Sequence, residues 1–586
     1  MKSLYGAAFF FFPQFISAIW PIPVSYIHGD KELWIREDVQ IYYDLGTDSD
    51  SDVQDWVVFQ SDDSNRVDDK TSPLTPKRML DSNIHRALRT ILDSDYSPWK
   101  FHERGWTDPS PSDNSTYITT LTLKQLQPNP ENFEKALAGE VDESYTLRVS
   151  EEGAAMIEAN STIGLIRALT TFTQLFYQNP EQKDAYTQLA PVNIFDTPKF
   201  PHRGINIDVA RQVIPLHLIC HQIDAMAYNK MNRLHLHVTD SQSWPLEIPA
   251  LPELAEKGAY RPTSTYSPDD FRNIQRYAAL QGVEVITEID MPGHTSSIWH
   301  SHPELIAAYN IQPDWDTYAA EPPSGTLKLN SKDVDAFLDT LFSDLMPRVS
   351  PYSSYFHTGG DEVNKQAYTL DDTVKSADPV VLQPLMQRFV DRNHDRVREA
   401  GLAPVVWEEM LLDWNLTLRE DVVVQTWLAD ESVLKVVEKG HKALVGNYNY
   451  WYLDCGKGQW LDLPGSYSPF LDYCAPFHNW RHVYSYDPLT SIPLESQHLV
   501  LGGEVHIWGE QTDAVNLDRM LWPRAAAAAE VLWSGAKDEQ GRNRSQTEAS
   551  PRLGDMRERL VALGVGAEPL QMPYCTMNGT QCALGF

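Results

Sequence analysis

Two adjacent carboxylates, Asp361 and Glu362, sit inside the segment YFHTGGDEVN at residues 355–364. Carboxylates are suited to proton transfer when a fold holds them beside a reacting bond. An Asp–Glu pair alone says little, because most acidic pairs are solvated surface charge. The surroundings say more. Tyr355 and Phe356 read as the end of a buried strand, His357 leads into Gly359 and Gly360, and a polar stretch follows. A carboxylate just past the C-terminal end of a parallel strand lies where barrel enzymes keep their chemistry.

The elements needed to hold such a pair recur along the second half of the chain. Apolar strands are predicted at residues 204–209, 233–238, 283–289, 355–357, 404–407, 422–427, 443–447 and 499–505. Stretches with helical apolar spacing separate them, at 216–231, 269–281 and 382–400 among others, with a last long helix at 519–533. Eight such alternations predict a (β/α)8 TIM barrel, an α/β fold. The strand ends are rich in acids and aromatics: Asp208 and Arg211; His235, His237 and Asp240; Glu288, Asp290 and His294; Trp407, Glu408 and Glu409; Trp427; Trp451, Tyr452 and Asp454; Glu504, Trp508 and Glu510. Singly, a Trp usually fills a core and an acid usually faces water. Their common address is what points to a site.

Ahead of the barrel, residues 19–197 read as a small α+β domain, with strands at 117–123 and 145–149 and helices at 84–92 and 161–176. Its acidic, Ser-rich stretch 46–76 reads as a mobile loop. Residues 198–586 then hold the barrel, a C-terminal helix at 552–563 and a tail. Residues 1–18 carry one Lys, an apolar run and small residues at a cleavage point, the pattern of a secretory signal. The chain is expected to be secreted, with a vacuolar or lysosome-like compartment as the alternative. Five sequons, at Asn114, Asn160, Asn415, Asn543 and Asn578, agree with export. Of five cysteines, Cys455 with Cys474 and Cys575 with Cys582 are expected to form disulfides, leaving Cys220 as a buried thiol. The net charge is −33, which repels phosphate backbones and anionic bilayers and argues against nucleic-acid and membrane partners.

Three tryptophans, a tyrosine, several acids and one arginine describe a sugar pocket. Aromatic faces cover the apolar side of a pyranose, and carboxylates and Arg hydrogen-bond its hydroxyls. The motifs HRGINIDVAR, DAMAYNKMNRLHLHVTD, EIDMPGH, HTGGDEV and IWGE, in this order from about residue 200 to 533, resemble the signature of glycoside hydrolase family 20, the β-N-acetylhexosaminidases. The secreted fungal members are the most similar. ANSTIGLIRALTTFTQLF resembles the last helix of the small domain that precedes the barrel in this family.

The resemblance implies roles position by position. Glu362 matches the general acid/base, and Asp361 the residue that orients the substrate acetamide. Tyr452 matches the acetamide-binding tyrosine, and Trp407, Trp427 and Trp508 the aromatic box. Arg211 and Glu510 match the groups on the ring hydroxyls, with Asp454 adding a contact. Asp240 and His294 match a supporting pair, and His357 the histidine before the glycines. The resemblance also implies a homodimer, an N-acetylated oligosaccharide substrate, and neither metal nor other cofactor. The family departs from the two-carboxylate scheme of glycoside hydrolysis and uses substrate assistance. Strand geometry agrees, since neighbouring residues on a strand face opposite sides and Asp361 and Glu362 would not flank one bond. Two rivals stand beside this reading. His235 and His237, with His294 and nearby acids, could bind a metal. Alternatively, the chain is a sugar-binding protein without catalysis.

Overall fold

The computed structural model describes residues 18–46, 57–59, 73–181, 184–462, 470–578 and 581–582. The predicted signal segment lies outside them, except for Ala18. The barrel closes from eight parallel strands: β1 (His202–Asp208), β2 (Arg233–Thr239), β3 (Glu284–Ile289), β4 (Tyr355–His357), β5 (Ala403–Trp407), β6 (Val423–Thr426), β7 (Lys442–Val445) and β8 (Val500–Ile507). Strand β8 returns to pair with β1, Glu504 opposite Gly204 and His506 opposite Asn206. No open edge remains in the barrel sheet.

The period of two along each strand builds the interior in layers. Ile286, Tyr355, Val405, Val423, Leu444 and Leu501 pack together as an apolar floor, with Leu137 and Ala138 of the N-terminal domain against it. Two residues further along the same strands come Glu288, His357, Trp407 and Gln425. The change from apolar to polar within two residues moves the barrel from core to chemistry. Helices Leu216–Tyr228, Pro268–Leu280, Lys332–Val349 and Pro379–Glu399 cover the outside. The expected helix at 519–533 is two helices, Leu517–Leu521 and Arg524–Ser534. Pro523 lies between them and has no N–H to donate, which ends the first one despite the favourable alanine run after it. The C-terminal helix is longer than expected, Gln546–Ala562, and starts on a Ser545 cap.

The N-terminal domain is a mixed eight-stranded sheet with helices Pro76–Leu92 and Thr162–Thr173. Thr75 and Ser161 cap those helices through their hydroxyls. A strand, Val57–Phe59, pairs with Gln40–Asp44, so the stretch read as a loop holds a strand in its middle. The rest of the acidic run, 47–56 and 60–72, falls outside the described residues. Charged groups tie this domain to the barrel: Glu143 accepts from Arg203 and Arg167, and Asp196 from Lys230 at 2.8 Å and Trp533 at 3.0 Å. Both expected disulfides are present. Cys220 is outside any disulfide and half-buried rather than buried, because its helix lies on the barrel surface. Among the described residues no helix is long and apolar enough to cross a membrane.

Candidate active site

Strand β4 stops at His357, so Asp361 and Glu362 are not strand neighbours and the strand-alternation argument does not apply to them. A turn separates them instead. The Gly359 N–H donates to His357 Nδ1 at 2.9 Å, and the Gly360 N–H to Asp290 Oδ1 at 2.8 Å. Gly359 has φ +67°, and a Cβ there would lie 1.7 Å from Asp290 Oδ1, so only glycine fits. Glu362 itself has φ +52°, a left-handed backbone that costs a non-glycine residue of order 1–2 kcal/mol. The turn buries Asp361 and leaves the Glu362 side chain 34% exposed.

His294, also left-handed at φ +52°, faces both acids: its Nε2 lies 3.4 Å from Glu362 Oε2 and 4.0 Å from Asp361 Oδ2. Its Nδ1 donates to Asp240 Oδ1 at 3.0 Å. Burial works against a charged imidazole here, but Asp240 and Asp361 outweigh it and hold the His294 pKa well above its ordinary value. Burial pushes the Asp361 carboxyl up, and His294 opposes that rise. Asp361 is buried against Asp290; burial and the Asp361 charge hold the Asp290 carboxyl well above the usual range, so the neutral Asp290 donates a hydrogen bond to Asp361.

Beside Asp361 stands an aromatic cluster of Trp407, Tyr452 and Trp508, with Trp427 and Tyr448 against it. Trp407 ends β5, and its indole N–H donates to Glu288 Oε1 at 2.7 Å. Trp427, one residue past β6, donates through its indole to Glu409 Oε1 at 3.0 Å, and its backbone N–H goes to Glu408 Oε2. Tyr452 stacks on Trp427 with centroids 6.0 Å apart and lies 6.0 Å from Trp508. The Cys455–Cys474 disulfide fixes the segment just after Tyr452. Asp454 Oδ1 accepts from the Trp508 N–H at 3.5 Å, and burial raises its carboxyl to about 6. Trp451 is apart from this group: fully buried, it donates its indole N–H to Val483 O in the core.

Arg211 closes another side. It reaches Asp208 at 3.2 Å, Asp240 at 3.0 Å and Glu321, and donates through Nε to Gln242 at 3.0 Å. Its guanidinium lies 5.5 Å from the Trp508 ring. Burial and its acidic neighbours hold the Glu510 carboxyl well above the usual range. Glu321 and Gln242 escaped the sequence reading. Glu321 belongs to an irregular connection between Ala307 and Thr326, with no strand-end address to mark it.

Distance alone would let His235, Glu288 and His357, or Asp240, Asp290 and His294, share an ion. In the first group the donor set does not fit one. Both ring nitrogens of His235 already meet carboxylates, Glu504 at 2.9 Å and Glu288 at 3.0 Å, and His237 is engaged in the same way by Glu288 and Asp240. An imidazole donating from both nitrogens has no lone pair for a metal. The two histidines brace the floor of the site.

Comparisons with known proteins agree with this geometry. The family described as "Glycosyl hydrolase family 20, catalytic domain" matches residues 200–536, and "beta-acetyl hexosaminidase like" matches residues 19–175. A beta-hexosaminidase of Arthroderma benhamiae is 41% identical over 97% of this chain and 98% of its own length. A chitooligosaccharidolytic beta-N-acetylglucosaminidase of Ostrinia furnacalis is 34% identical over 80% of each. The solved structure of the GH20 beta-N-acetylhexosaminidase from Streptomyces coelicolor shares the fold, with a TM-score of 0.65 and 22% identity over 95% of this chain and 99% of that one. The chain belongs to glycosyl hydrolase family 20 and is a glycoside hydrolase of the β-N-acetylhexosaminidase kind.

Proposed function

We propose that the chain removes terminal β-linked N-acetylglucosamine or N-acetylgalactosamine with retention, using the substrate acetamide as nucleophile. The observation that carries this reading is the pair of carboxylates turned apart: Glu362 exposed beside His294, Asp361 buried beside Tyr452 of the aromatic cluster. In the first step the acetamide oxygen attacks the anomeric carbon and the glycosidic bond breaks. Glu362 gives its proton to the leaving oxygen, and Asp361 accepts from the acetamide N–H as positive charge develops on the ring nitrogen. In the second step Glu362 takes a proton from water, which adds to the anomeric carbon and breaks its bond to the acetamide oxygen. Two inversions give retention. A nucleophile carried by the substrate also supplies the proximity advantage of an intramolecular reaction.

Tyr452 binds the acetamide carbonyl, and Trp407, Trp427 and Trp508 enclose the acetyl methyl and the sugar face. Arg211, Glu510 and Asp454 hold the ring hydroxyls, and Asp240 with His294 supports Glu362. The name of the Ostrinia furnacalis relative favours chitooligosaccharides as substrates. The disulfides suit a secreted protein. Homodimerisation belongs to the same proposal and is checked by light scattering. The test of function is hydrolysis of aryl N-acetyl-β-glucosaminide and chitooligomers with the first-formed anomer followed by NMR. The β-anomer appearing first is expected. The α-anomer appearing first would exclude retention, and equal cleavage of plain β-glucosides would exclude the acetamide.

A further inference from the structure

The Asp240–His294 pair is the upper end of a longer buried chain. Asp240 Oδ2 accepts from His237 Nε2 at 2.7 Å, and His237 Nδ1 donates to Glu288 Oε2 at 2.6 Å. The same Glu288 oxygen accepts from His235 Nε2 at 3.0 Å. His235 Nδ1 meets Glu504 Oε2 at 2.9 Å, and Glu504 Oε1 meets His202 Nε2 at 2.7 Å. Every member below His294 is buried. Each imidazole from His235 upward lies between carboxylates, which accept only, so each is doubly protonated and the charges alternate. The titration directions agree: burial opposes charge throughout, yet the carboxylates raise His235 to about 9 and His237 well above its ordinary value, and the histidines hold Glu288 and Glu504 well below theirs.

Glu288 is the branch point. Its second oxygen, Oε1, accepts from the Trp407 indole at 2.7 Å. One carboxylate therefore holds the indole on one side and, through His237, Asp240 and His294, the group beside Glu362 on the other. Hydrogen bonds to charge in a buried site are strong, and leaving one unmade is costly, so a displacement of Glu288 is passed along both arms. Glu504, two links further down, touches neither arm directly; its hydrogen bonds go to His202, His235 and Gln425.

We propose that Glu288 and His237 are positioning residues of the reaction: Glu288 sets the acid/base and the Trp407 wall of the acetyl pocket together, and His237, whose ring meets Trp508 edge-on at 5.1 Å, carries the arm that reaches the acid/base. This rests on Glu362 being the acid/base. The test compares Glu288→Gln, His237→Gln and Glu504→Gln with Glu362→Gln in the full chain. Two ratios are measured: kcat for 4-nitrophenyl against phenyl leaving groups, and kcat/KM for N-acetyl against N-butanoyl sugars. Glu288→Gln is expected to worsen the poor leaving group about 10-fold more than the good one, a fraction of what general acid catalysis supplies. It is also expected to erode the preference for acetyl by about 10-fold, the scale of a small apolar group in a fitted pocket. His237→Gln should change the first ratio, and Glu504→Gln should keep both. Equal changes in Glu288→Gln and Glu504→Gln would reduce the chain to a structural brace and overturn the proposal. If Glu288→Gln does not fold, His237→Gln decides: an unchanged leaving-group ratio overturns the proposal. If Glu362→Gln itself shows no leaving-group dependence, the acid/base reading fails; if it does and the other variants are flat, only the positioning proposal fails.

Discussion

Replacing Glu362 with Gln removes one proton-transfer group and little else. Its side chain is 34% exposed and faces His294 at 3.4 Å, so no buried partner loses a short bond. The left-handed backbone at φ +52° is as available to Gln as to Glu. Stability should then change by no more than about 0.5 kcal/mol, as for other exposed substitutions. Catalysis should fall by at least about 10²-fold in kcat for a poor leaving group, which is about 2.7 kcal/mol of barrel-site transition-state stabilisation. A 4-nitrophenolate leaves without help, so its rate in the first step should fall much less. The assay is steady-state hydrolysis of a series of aryl N-acetyl-β-glucosaminides, with thermal unfolding of the same preparations. The slope of log kcat against leaving-group pKa should steepen in the variant. A uniform loss across the series, or a loss explained by a lower Tm, would refute the role of Glu362 as acid.

Three further outcomes follow from particular contacts. Gly359→Ala, whose Cβ would stand 1.7 Å from Asp290 Oδ1 on a φ of +67°, should lose activity by more than about 100-fold, and wild-type kinetics would show that the turn is not needed. Asp454, with its carboxyl raised to about 6, is stabilised as the neutral acid: that contribution is full below the unfolded value near 4 and is lost as pH rises through 6. The Tm of Asp454→Asn should therefore gain on the wild type between pH 4 and pH 7, and a difference that stays flat with pH would contradict the shift. Opening the Cys455–Cys474 loop by Cys474→Ser should cost about 3 kcal/mol of stability, the scale for a loop of this length, and raise KM by freeing Tyr452; unchanged KM with a lowered Tm would separate the disulfide from the site.

The barrel was legible because short apolar runs alternate with helical stretches, and four of the strands turn polar or aromatic two residues on, as in Ile286 and Glu288 or Val405 and Trp407. The common address past the strand ends also brings Trp407, Trp427, Tyr452 and Trp508 into one group. The twin glycines announced a sharp turn, but not that Glu362 itself would take a left-handed backbone, since nothing in its side chain favours it. Glu321 was invisible because a loop residue acquires its partner, Arg211, only through tertiary folding. Trp451 shows the converse: it has the same strand-end address as Tyr452 and faces the core. Pro523 marks the helix break in the sequence, against five alanines that favour a continuous helix.

The most direct measurement of the central claim varies the nucleophile and leaves everything else alone. Aryl N-acyl-β-glucosaminides carrying zero to three fluorines on the acetyl methyl keep the same ring hydroxyls and the same leaving group. Each fluorine withdraws electrons from the acetamide oxygen. If that oxygen attacks the anomeric carbon while Asp361 holds the N–H, log kcat/KM should fall steadily with each fluorine and Asp361→Asn should blunt the trend. A flat series, together with a trapped glycosyl ester on an enzyme carboxylate, would contradict substrate assistance and return the reaction to a double displacement on the protein.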